Sequence, residues 1–155
     1  MNELIVSLEG NFRRYSEILY RIGENANGTD YPQQSYQVKD MLCILADLQS
    51  EVINFRLKKI LKEENPYLPQ IRVERVRQRN PHQKDSVAQL AQAFLAQRKE
   101  LLQLLHTLPI GSWERTGVHE VEGHVSFREF VRRMVEKDNQ MISDLSQMLV
   151  VVEHS

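Results

Sequence analysis

The sequence predicts an all-α protein, a four-helix bundle with long crossover connections, and three observations lead there. Four segments repeat apolar residues at three- or four-residue steps, and stretches rich in Gly, Pro, Asn and Asp separate them. Leu, Gln, Glu, Val and Arg are abundant while Gly and Pro are few, a composition that favours helix. At 155 residues the chain has the size of one domain, 1–155, and can bury a core without a disulfide or a structural metal.

The first helix is expected over about residues 2–25, with Ile5, Leu8, Phe12, Tyr15, Leu19 and Ile22 on one face. The segment GENANGTDYP ends it, through residues that accept positive φ and through Pro32, which blocks resumption. A second helix follows over about 36–62, its stripe formed by Val38, Met41, Leu45, Leu48, Val52 and Phe55 and widened by Leu42 and Ile60; EENPYLP stops it. The third spans about 85–107, with Val87, Leu90, Phe94, Leu101 and Leu105 inward and Asp85 or Ser86 as N-cap. The fourth begins at Ser126, where S-F-R-E sets a serine at the N-cap and Glu129 three residues on, the pattern of a capping box. Its stripe runs Phe127, Phe130, Val131, Met134, Met141, Ile142, Leu145, Met148 and Leu149. The linkers at about 63–84 and 109–126 exceed what a helical hairpin needs, so either can return along the bundle and make sequential helices parallel.

A net charge of −1 gives no global reason to expect nucleic acid or an anionic membrane as partner. No apolar run approaches the length that spans a bilayer, and MNELIVSLEGNFRRY lacks a leader pattern, so a soluble, cytoplasmic protein is expected. Cys43 falls inside a periodic helix, where a small buried apolar role suits it; no His lies within a turn to generate a thiolate. Arg72, Arg75, Arg77, Arg79 and Lys84 cluster in one linker with a single acid, Glu74, and without stacking aromatics, which reads as a solvated face.

Two helices carry polar insets beside their stripes. Lys137 lies three residues after Met134 and four before Met141, and so shares their face. Asp40, Ile44, Asp47 and Glu51 make a strip flanking the second helix's seam. Lys137 either snorkels to the bundle edge or forms a buried pair with Asp47 or Glu51.

These segments resemble the DinB-like superfamily. YQVKDMLCILADLQSEV is similar to its second-helix motif, and SWERTGVHEVEGHVSFREF to its inter-helical motif, with matches at Trp113, Arg115, Gly117, His119, Gly123 and Ser126. MVEKDNQMISDL aligns with its closing motif through Asp138 and Ile142, so the resemblance covers the last three helices. It implies a DinB-like bundle, a homodimer formed through helix faces, and a divalent metal held by three histidines, one from the second helix and two from the fourth. At those positions this chain has Ile44, Lys137 and Met141, and Tyr36 replaces a motif tryptophan. A hydrocarbon, an ammonium and a thioether cannot replace three imidazoles, so neither metal nor other cofactor is expected. The remaining histidines do not rebuild the site: His82 and His154 lie in a linker and at the terminus, His106 ends the third helix, and His119 with His124 would need further donors such as Glu120 or Glu122.

The relatives include bacillithiol- and mycothiol-dependent transferases and metal-dependent hydrolases. Loss of the ligands removes that chemistry, which leaves two expectations. One is a non-enzymatic or metal-independent protein that binds a small molecule or a partner in the old cleft, lined by Tyr36, Ile44, Asp47, Glu51, Lys137 and Met141. The other is a thiol-dependent transferase- or hydrolase-like enzyme in which a desolvated Lys137 acts in place of the metal, as base or nucleophile, with Asp138 or Tyr36 beside it.

Overall fold

The computed structural model describes residues 2–27, 32–71 and 85–153, with the side chains of 25–27, 32–37 and 151–152 outside that description. Among the described residues four long helical rods dominate. They are α1 (Glu3–Asn27), α2 (Pro32–Val52), α4 (Val87–Thr107) and α5 (Phe127–Glu153), with a short α3 (Lys58–Lys62) prolonging the second rod. Pro32 opens α2 rather than blocking it, because the first turn of a helix needs no N–H at that position. Ser86 caps α4 with a complete box: its Oγ accepts from Gln89 N at 3.1 Å, and its own N–H donates to Gln89 Oε1 at 2.8 Å. At the start of α5 only half the expected box forms. Ser126 Oγ accepts from Glu129 N, while the Glu129 carboxylate turns to Arg132 and Arg133. The hydrogen bond from Arg132, helped by that from Arg133 and against the opposing effect of burial, holds that carboxyl down at about 2.

Between α2 and α3 the rod passes through a π-turn, Ile53–Leu57. Its i→i+5 bonding, seen from Lys58 N–H to Ile53 O, inserts about one extra residue into the helix and shifts the phase of the buried face. Ile53, Leu57 and Ile60 are therefore buried, and Phe55, expected inside, is exposed.

An all-α chain was expected, and the structure adds a small three-stranded sheet in the order β1-β2-β3: β1 (Tyr67–Leu68), β2 (Thr116–His119) and β3 (Gly123–Ser126). β1 runs parallel to β2, with Val118 N donating to Pro66 O and Glu120 N to Leu68 O. β2 and β3 form a hairpin whose turn ends at Gly123, with φ of 76°, a conformation that favours glycine. Gly117 has another reason to be glycine: a Cβ there would lie 2.4 Å from Leu68 Cδ1, in a side chain that is fully buried. His119 is buried and its Nδ1 accepts from Val121 N and Glu122 N, tying the turn together. Arg115 closes the end of α3 by donating to the carbonyls of Ile60 and Glu63. Gly117 and Arg115 thus dock this connection on the bundle.

The core falls into two apolar clusters. One gathers Ile5 and Leu8, Leu57 and Ile60, Leu101 and Leu105, and Phe130 and Val131; the other gathers Leu19 and Ile22, Val38 and Leu42, Val87 and Leu90, and Ile142 and Leu145. Each cluster takes the start of α1 and α5 with the end of the α2–α3 rod and α4, or the reverse. Hence α1 and α5 run one way, and α2 and α4 the other. The sequential rods α2 and α4 are parallel. α1 packs against both α4 and α5, and α2 against α4. No helix among the described residues is long and apolar enough to cross a membrane.

Candidate functional site

Each long rod carries one buried polar side chain in its apolar ladder: Asn11 on α1, Gln49 on α2, Arg98 on α4 and Asp138 on α5. The four meet between the two apolar clusters. Arg98 grips Asp138 with both terminal nitrogens, Nη1 to Oδ2 at 2.6 Å and Nη2 to Oδ1 at 3.0 Å, while its Nε donates to Gln49 Oε1 at 2.9 Å. Tyr15 Oη donates to Asp138 Oδ1 at 2.9 Å and Asn11 Nδ2 to Oδ2 at 3.2 Å. Gln49 Nε2 completes the layer by donating to Phe94 O and to Gln97 Oε1. The guanidinium also lies over the rings of Tyr15 and Phe94, at 5.5 and 5.4 Å from their centroids. Burial, followed by the charge of Asp138, raises the Tyr15 pKa well above the usual phenol range and keeps the hydroxyl a donor.

A cavity of about 290 Å³ lies beside this layer, between α2 and α5. Leu45, Leu48, Val52, Phe94, Phe130, Met134 and Met141 give it apolar walls, and Tyr15, Gln49, Arg98 and Asp138 reach it from the polar layer. Arg56, Arg133 and Lys137 bring positive charge, and Ile71 adds an apolar contact from the linker. The stripe expected on α2 is therefore shared: Leu45 and Leu48 continue along the cavity wall through Val52 to Arg56, while Leu42, Ile53 and Leu57 face the core.

The cations differ in how they are satisfied. Arg133 donates to both oxygens of Glu122 at 2.7 Å and to Glu129 at 3.2 Å. Its pKa is raised, chiefly by the hydrogen bond to Glu122, and that bond in turn lowers Glu122. Arg56 sits in the π-turn, its guanidinium 5.2 Å from the centroid of the Phe130 ring, with Arg133 on the same ring at 5.7 Å. Its one hydrogen bond to the described residues is long, from Nη2 to Pro69 O at 3.5 Å, and its Nε is buried without an acceptor. Burial, then the neighbouring Arg133 charge, pulls its pKa down.

The residues expected at the cleft are only partly brought together. Lys137 and Met141 line the cavity; Ile44, Asp47 and Glu51 do not, and the side chain of Tyr36 lies outside the described residues. Lys137 is exposed and makes no ion pair among the described residues, so the pairing with Asp47 or Glu51 does not form. One residue further round the helix, Asp138 occupies the buried position instead. From Met134, steps of three and four reach Lys137 and Asp138 respectively, and the fully buried Ile142 continues the second path. As a catalytic candidate Asp138 is engaged on both oxygens by four hydrogen bonds. Arg98, Gln49, Asn11 and Arg56 were not singled out from the sequence. Their signal was a polar residue filling a gap in an apolar ladder, as Arg98 does between Phe94 and Leu101.

The residues at the implied metal position do not fit a metal. Ile44 is half-buried away from the cavity, Lys137 is a cation, and among the described residues no group of three His, Cys, Asp or Glu side chains could hold an ion. His119 spends its Nδ1 on the hairpin, while His124 is exposed with its Nδ1 3.4 Å from Thr116 Oγ1. Cys43 is buried, and burial pushes its thiol pKa up, away from the thiolate that nucleophilic chemistry needs. The basic run 72–84, with His82, lies outside the described residues, as does His154.

Comparison of the chain with protein-family models, with curated proteins and with solved structures gave no match.

Proposed function

We propose that this protein is a metal-independent, DinB-like helical bundle that binds a small molecule in the cleft between α2 and α5 without turning it over. The observation that carries the reading is the cavity itself: an apolar chamber of about 290 Å³, lined in part by Lys137 and Met141 but not by Ile44, and closed on its inner side by side chains already committed to one another. Preformed apolar cavities with a few convergent polar groups are the usual form of small-molecule sites. The enzymatic alternative draws less support. A catalytic lysine needs desolvation to lower its proton affinity, and Lys137 stands exposed at the rim. A homodimer in the cytoplasm belongs to the same proposal through the resemblance, and light scattering on the eluting protein tests the dimer.

Elemental analysis of tag-free protein tests the metal-independent part. After incubation with zinc or nickel and desalting, the expected content is far below one atom per chain. A stoichiometric ion that Met141→Ala or Lys137→Ala releases would place a metal in the cleft and end this reading.

A further inference from the structure

We infer that the ligand of this cavity is an amphipathic carboxylate, its hydrocarbon body on the apolar wall and its carboxylate against the guanidinium of Arg56. The inference rests on the small-molecule reading above and adds the chemical class. It starts from an imbalance among the cations. Arg98 is neutralised by Asp138, and Arg133 by Glu122 and Glu129. Arg56 and Lys137, both lining the cavity, have no carboxylate partner among the described residues. Glu122, hydrogen-bonded to Arg133, reaches Arg56 only through its charge, so the wall presents an excess of positive charge to whatever enters.

Arg56 has a specific need for an acceptor. A guanidinium carries five N–H donors in a planar fork that matches a carboxylate, and it stays charged in proteins. Here the buried Nε meets no acceptor and the one contact made, to Pro69 O, is at 3.5 Å. Arg133, close to the same Phe130 ring, adds repulsion, which an anion near both guanidiniums would relieve. The π-turn strengthens the case, since such turns recur at binding sites and this one carries Arg56 to the end of the wall formed by Leu45, Leu48 and Val52. A neutral apolar guest would leave the Nε unsatisfied, and a cationic guest would meet like charge. A small inorganic anion would leave the wall of Leu48, Val52 and Met134 without a contact.

Isothermal titration calorimetry with three probes tests the inference: octanoate, octan-1-ol and acetate. Octanoate is expected to bind saturably and more tightly than either other probe, with an affinity that falls as salt rises. Arg56→Gln should weaken octanoate by about tenfold or more and leave octan-1-ol unchanged, because a charge-assisted hydrogen bond is lost while the apolar wall stays. Arg56→Lys keeps the charge but not the buried donor, and should fall between. Octan-1-ol binding as tightly as octanoate, or an Arg56→Gln variant that binds octanoate normally, would overturn the carboxylate and leave the cavity reading in place. Acetate binding as tightly as octanoate would overturn the amphipathic requirement. Absence of binding by both eight-carbon probes would bring down the cavity reading as well. Should Arg56→Gln fail to fold, the ranking of the three probes on the unaltered protein still separates these outcomes.

Discussion

Asp138→Ala is expected to destabilise the protein by about 3–5 kcal/mol, because it leaves the Arg98 guanidinium charged, buried and without its counterion. Arg98 and Asp138 expose only 3% and 4% of their side chains, so water cannot take the place of the lost carboxylate. Asn11 and Tyr15 lose their acceptor in the same step, each adding an unsatisfied donor. Arg98→Met should be costly for the mirror reason. Combining Arg98→Met with Asp138→Leu removes both charges, and the double variant is expected to be clearly less destabilised than the sum of the two single ones, with a coupling of about 0.5–3 kcal/mol. It should not regain full stability, because Tyr15, Asn11 and Gln49 are still left short of partners. Urea unfolding of the four proteins measures this cycle. Strict additivity would show that the two charges do not act as a pair.

The second large effect is expected at Trp113, where replacement by alanine should remove about 3–5 kcal/mol through the loss of a large buried ring. Trp113 is 4% exposed, meets Phe127 edge-on at a centroid distance of 5.4 Å, and carries the Arg128 guanidinium 5.5 Å over its face. It lies in a single 3₁₀ turn, Ile110–Glu114, so the side chain rather than the local backbone anchors the connection between α4 and the hairpin. Trp113→Phe should cost less than half as much, since an aromatic edge can still meet Phe127. Hydrogen exchange would locate the damage: the amides of β2 and β3 should lose protection before those at the middle of α4. An alanine variant with an unchanged unfolding midpoint would show that the ring contributes little to holding this connection.

The helices were legible in the sequence because their signals are local. The apolar period, the Ser86 cap and the Ser126 start each depend on residues within a few positions of one another, and the structure places α4 and α5 accordingly. The sheet was not legible: a strand of two residues between prolines has no period to detect, and its partner is some fifty residues away, Tyr67 against Val118. The π-turn was hidden for a different reason. A stripe drawn at constant helical phase runs straight to Phe55, and only the inserted residue moves the buried face to Leu57. The polar layer escaped because a ladder read for apolar residues passes over its exceptions. Read for exceptions, Asp138 between Met134 and Ile142 and Arg98 between Phe94 and Leu101 are opposite charges at buried positions of two helices. That complementarity was present in the residues; that the two rods are neighbours was not, since linker length left the arrangement open.

The bonds from Asn11 and Tyr15 to Asp138 join positions 127 and 123 residues apart, so the centre of the molecule is closed by nearly the whole length of the chain. A ribosome delivering this polypeptide from its amino end releases α1, α2 and α4 well before the carboxylate they are built around. Until α5 emerges, Arg98 must wait in water and α1 lacks the neighbour it runs alongside. The polar layer cannot be satisfied before α5 is made, so completion of this fold is expected to wait for that helix.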